Sequence, residues 1–170
     1  MAVRGLVVLY ETPAVTVGVL GPYCLGRWRD VPDAAGLEEM HRALLQWASG
    51  GRVFAAINVV DVRAVVDIPR DAQKVIARIQ SSFDRQQVAL ATVLPTKGYV
   101  AAAVRGIVAV MSLMSDARFE QEVFDAVLPA ARWSARALGR SELDQEADAI
   151  SVAAALASLE HAPKPVRMAE

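Results

Sequence analysis

The stretch "INVVDVRAVVDIPRDAQKVIARI", residues 57–79, decides how this chain is read. Its first half is apolar and rich in β-branched residues, which suits a strand covered on both faces. Its second half repeats apolar residues at helical spacing: Ala72, Val75, Ile76, Ile79 and then Phe83, opposite Arg70, Lys74 and Arg78. Between them, Asp67, Ile68 and Pro69 make a turn, and proline suits a first helical position because its missing amide proton is no loss there. Asp67 is read as a cap for that helix. The motif is strand, turn, helix.

Working outward, the same alternation recurs. "RVFAAINVV" (52–60) and "QVALATVL" (87–94) read as buried strands, and "RFEQEVF" (118–124) as a half-exposed one. Upstream, "RGLVVLY" (4–10) and "AVTVGVLG" (14–21) read as two strands joined at "ETP". "PYCLGRWRDVP" (22–32), with two prolines, a glycine and two arginines around Trp28, reads as a loop. A helix is expected from Asp33, with Leu37, Met40, Leu44 and Trp47 as its apolar stripe and "SGG" (49–51) as its stop. Further helices are expected over 99–114, over "DAVLPAARWSARAL" (125–138), and in an alanine-rich segment begun by Ser141 with Asp144. The expectation is an α/β fold: a mixed sheet of about five strands with helices packed on it. Residues 1–139 form the domain and 140–170 a docked or loosely attached helical tail.

Composition narrows the functional classes. The 170 residues carry a net charge of −1 and are 54% apolar, so nothing in the electrostatics attracts nucleic acid. A single cysteine, Cys24, leaves no disulfide framework or cysteine-based zinc site. The apolar run 99–114 contains Arg105 and is shorter than a bilayer span. The start, "MAVRGLVVLYETPA", lacks the pattern of a secretory leader, and the reading is a soluble cytoplasmic protein.

In element order, residues 4–138 resemble a STAS-type domain, the fold of bacterial anti-sigma-factor antagonists. The segments that carry the likeness are "VFAAINVVDVRAVVDIPRDAQKVIARI" and "QVALATVLPTKGYVAAAVRGIVAVM". The resemblance implies a strand ending in an aspartate-containing segment and a serine in the following turn that is phosphorylated. Here Asn58 stands where aspartate is usual, and the serine position falls at about Ile68. Neither Ile68 nor Pro69 can accept a phosphoryl group. The resemblance therefore implies a relative without the switch; beside its reading as a cap, Asp67 has a second reading, in which its fixed charge mimics a phosphorylated turn.

The functional expectation is a non-enzymatic protein-interaction domain of a bacterial regulatory system, without cofactor or metal. Its candidate contacts are Trp28 between its arginines, Asp67 and Ile68 at the turn, and Tyr99, Val110 and Leu113 on the 99–114 helix. That helix is apolar on more than one side, which predicts a homodimer or a partner surface there. Two other readings stay open. Met40, Met111 and Met114 could border a pocket for a small molecule or lipid. Cys24 with His41 could serve as nucleophile and base of an enzyme assembled from scattered residues.

Overall fold

Six strands pair in chain order into a single mixed sheet in the computed structural model, which describes residues 3–65, 68–95, 102, 103, 105, 106 and 118–160. Strands β1 (Leu6–Glu11), β2 (Val15–Leu20) and β3 (Tyr23–Trp28) form an antiparallel meander. From β3 onward the neighbours β4 (Phe54–Val60), β5 (Gln87–Val93) and β6 (Glu120–Phe124) run parallel. The parallel neighbours require crossovers. Helix α1 (Ala34–Trp47) links β3 to β4, and α2 (Arg70–Ser82) links β4 to β5 after a single 3-10 turn at Val62–Ala64. Ala102, Ala103, Arg105 and Gly106, between β5 and β6, are helical. Two further helices follow, α3 (Val127–Ala137) and α4 (Glu142–Glu160).

The α/β architecture expected from the sequence is the one observed, with six strands where about five were expected. The additional strand is a correction. Residues 23–28, read as loop, are a central strand hydrogen-bonded on both sides. Its side chains alternate between two environments. Tyr23, Leu25 and Arg27 face one helical layer, while Cys24, Gly26 and Trp28 face the other. The arginines that suggested solvent are bound. Arg27 reaches Asp61 at 2.9 Å and Glu160 at 3.2 Å. Arg29 donates to Thr16 Oγ1 at 3.0 Å and to the Leu159 carbonyl at 2.7 Å. Leu159 sits in the last turn of α4, where carbonyls lack helical partners and a cation is favoured.

The helix ends follow local chemistry. Asp33 Oδ1 accepts from the Gly36 amide at 2.7 Å and starts α1. Gly50 and Gly51, both at positive φ, turn the chain after it. Pro69 is the residue before α2 rather than its first, so that helix starts one position later than expected. Ser141 and Asp144 bond to each other at the start of α4.

Two cores result. One sheet face carries Leu25, Ala55, Ile57, Ala89 and Ala91 against Ala130, Ala131 and Ala135 of α3 and Ala149, Val152, Leu156 and Leu159 of α4. Alanine meeting alanine brings α3 close to β4 and β5. The tail helix is thus docked, covering β2 and β3. The other face carries Val17, Cys24, Phe54 and Ala56 against Leu37, Met40 and Leu44 of α1 and Ala72, Val75 and Phe83 around α2. Here α2 approaches α1 more closely than it approaches the strands beneath it.

Replacing Arg29 by alanine removes the clamp on the end of α4. The expected loss is about 1–3 kcal/mol of stability, the range for a hydrogen bond to a charged group. Amides near Leu159 should then exchange faster than those of α3. Equal protection of α4 in both proteins would contradict the clamp.

Candidate functional site

Because α2 stands off, the sheet face below it is incompletely filled. Two adjoining cavities lie there, of about 100 Å³ and about 120 Å³. They share a wall made of Trp28, Asn58, Ile76, Gln80 and Leu90. The first extends toward Cys24, Met40 and Phe83; the second extends toward Val60, Ile68 and Thr92. Each wall residue has a positional cause. Trp28 and Asn58 point to the same side of β3 and β4, and Ile76 and Gln80 lie one helical turn apart on α2.

A short polar contact fixes the wall. The Trp28 indole Nε1–H donates to Asn58 Oδ1 at 3.1 Å. This pair is possible only because residue 26 is glycine. A Cβ at Gly26 would lie 2.2 Å from Asn58 Oδ1 and 2.6 Å from Trp28 Nε1, and neither group could stay in place. Trp28 is therefore half-buried as part of the groove wall, also packing near Val60, Ala64 and Leu94.

The structure brings two of the sequence candidates together. Trp28 and Ile68 line the same cavity, with Ile68 partly buried against the α1–α2 core. Asp67, Tyr99, Val110 and Leu113 lie outside the described residues, as does most of the 99–114 helix proposed to carry the dimer.

Cys24 and His41 have defined environments. Burial pushes the Cys24 thiol up to about 12, so it is protonated at neutral pH and a poor nucleophile. The His41 ring lies edge-on to Phe83, and its Nε2 meets Ser82 Oγ at 2.9 Å. Ser82 Oγ already donates to the Arg78 carbonyl at 2.8 Å. Its oxygen is left to accept, so the imidazole carries its proton on Nε2 and donates. A histidine acting as base toward that serine would need the opposite arrangement. Ser82 also borders a wider polar cleft of about 620 Å³ with Ser81, Asp84, Arg85 and Arg118, at the end of the sheet where β5 begins. The His41–Ser82 contact joins residues 41 positions apart, and no local pattern announces it.

A second feature is the outward face of α4. Leu143 is 83% exposed and Ile150 60% exposed. With exposed Ala147 and Ala154 they repeat at intervals of four, three and four, the spacing of a helix–helix seam. The hydroxyls nearby turn back onto the helix: Ser151 Oγ donates to the Ala147 carbonyl and Ser158 Oγ to the Ala154 carbonyl. Glu146 and Asp148 are likewise engaged, by Arg132 and Arg140. In sequence this helix shows no dominant apolar stripe. Two apolar seams lie on different sides, the buried one through Ala149, Val152, Leu156 and Leu159, and their contributions cancel in any one-sided measure. Spacing at 143, 147, 150 and 154 was the signal that could have shown it.

Comparison with protein-family models, with curated proteins and with solved structures gives no match to this chain. Among the described residues no helix is long and apolar enough to cross a membrane, and no cluster of three or more histidine, cysteine or acidic side chains could hold a metal ion.

Two outcomes follow from this geometry. Gly26→Ala should lower stability by about 1–3 kcal/mol through overpacking and shift the Trp28 indole proton resonance. An unchanged resonance would contradict the close contact. For His41, burial holds the pKa below the ordinary 6.5, so folding favours the neutral ring. Below that pH the unfolded chain takes up a proton that the folded chain resists, and stability falls until the lower folded pKa is passed. The melting temperature of the wild type should therefore drop more between about pH 7 and about pH 5 than that of His41→Gln, since histidine titrates in this window. Parallel curves would refute that assignment.

Proposed function

We propose that the chain is a non-catalytic protein-contact domain that acts by docking, in a regulatory role. The observation that carries this reading is the second seam of α4, where Leu143, Ala147, Ile150 and Ala154 are exposed together. A helix that is apolar on two sides satisfies one with its own core and leaves the other for a partner. The surrounding hydroxyls bond back onto the helix, which lowers the cost of drying this face.

The partner proposed is a second copy of the chain. A two-fold axis across α4 pairs the seam with itself, and alanines at 147 and 154 leave room for the larger Leu143 and Ile150 of the opposing helix. The STAS-type resemblance supports the same kind of role: such domains work through protein contacts, and Ile68 and Pro69 leave this turn without a phosphorylatable hydroxyl.

Sedimentation velocity over a concentration series tests the proposal. The wild type should move as a reversible dimer, and Ile150→Glu should weaken association about tenfold or more, because a charge would be buried in the seam, while its melting temperature matches that of the wild type at dilutions where both are monomeric. A wild type that stays monomeric at its highest soluble concentration would overturn self-association through this face.

A further inference from the structure

We propose that the two-lobed groove between α2 and the sheet binds an uncharged small molecule, apolar over most of its surface and carrying one carbonyl oxygen. This site is separate from the outer face of α4, so either can fail without the other.

Charge gives the first restriction. Among the described residues no acidic or basic side chain lines either lobe. A carboxylate, phosphate or ammonium would give up its hydration there and meet no counter-ion. The apolar walls, among them Met40, Phe83 and Leu90, favour hydrocarbon.

The second restriction is size. Each lobe, at about 100 Å³ and about 120 Å³, is somewhat smaller than the roughly 150 Å³ cavity known to hold one benzene ring. A single lobe is too small for a ring, so the ligand spans both adjoining lobes across their shared wall, which sets its size at a flat molecule of one or two fused rings lying beneath α2.

The third is polarity. Asn58 Oδ1 must face Trp28, because an indole nitrogen only donates. The Asn58 amide nitrogen is thereby turned to the other side, with two protons to give. The Gln80 carboxamide lies on the same shared wall, and the structure gives its side chain no hydrogen-bond partner among the described residues. A plain core would place hydrocarbon at both positions. Asn58 therefore offers a donor on this wall, and the unpartnered Gln80 carboxamide can turn its own N–H2 beside it, a pair that suits an acceptor oxygen such as the ligand's carbonyl.

Three probes separate these features: coumarin, which is neutral, bicyclic and carbonyl-bearing; naphthalene, which lacks the oxygen; and 1-naphthoate, which is charged. The readout is the Trp28 indole N–H resonance in the full chain. Coumarin should shift it saturably. With each affinity referred to the probe's own transfer from water to hydrocarbon, naphthalene should bind about fivefold more weakly, the worth of one neutral hydrogen bond. Naphthoate should bind at least about tenfold more weakly than coumarin, because its charge is buried unpaired. Gln80→Leu, a change on a half-exposed helix position, should keep the fold and remove the preference for coumarin over naphthalene. No saturable shift with either neutral probe overturns the site. Equal binding of naphthoate overturns the assigned chemistry, and an unchanged preference in Gln80→Leu overturns the role of that residue.

Discussion

The structure turns on the absence of one carbon atom. Gly26 lets the Trp28 indole and the Asn58 carboxamide close over β3, and no side chain fits between them. Beside that contact β3 sits at the centre of the sheet, antiparallel to β2 and parallel to β4. Its opposite face carries Tyr23, whose hydroxyl donates to Asp148 at 2.7 Å, and Arg27, which binds Glu160. Burial, together with the Asp148 carboxylate, holds the Tyr23 phenol well above its ordinary range, so it remains a donor. One strand thereby fixes α4 on one side and shapes the groove on the other.

The two helical layers differ physically. Under α3 the contacts are alanine on alanine and close. Under α2 the walls are long and mixed, with Ile76, Ile79 and Gln80 only partly buried, and space remains. A tight layer holds the outer face of α4 in a fixed orientation, as a docking surface requires. A loose layer supplies a cavity. The difference follows from side-chain volume at a few positions on the strands and helices.

Much of this was legible in the sequence, for local reasons. The apolar runs at 52–60 and 87–94, the Asp33 cap and the Gly50–Gly51 turn each act through neighbours in the chain, and each element appears within a residue or two of where expected. Strand β3 was not legible, because its loop-like residues are satisfied from afar: Arg29 by Leu159, Arg27 by Glu160 and Gly26 by Asn58. The docking of α4 was obscured by its two seams. Of the groove-lining residues, Trp28 was singled out by the composition around it and Ile68 by the family resemblance, while Asn58, Ile76 and Gln80 were not singled out for binding, since only the fold assembles them.

The central claim is that residues 23–28 are an interior strand. Hydrogen exchange resolved to single amides tests it most directly. The amides of Tyr23–Trp28 that bond to β2 and β4 should fall in the slowest class, beside those of β4 itself. Exchange of those amides at the rate of the turn at Gly50 and Gly51 would contradict the account, and with it the origin of both the groove and the docked helix.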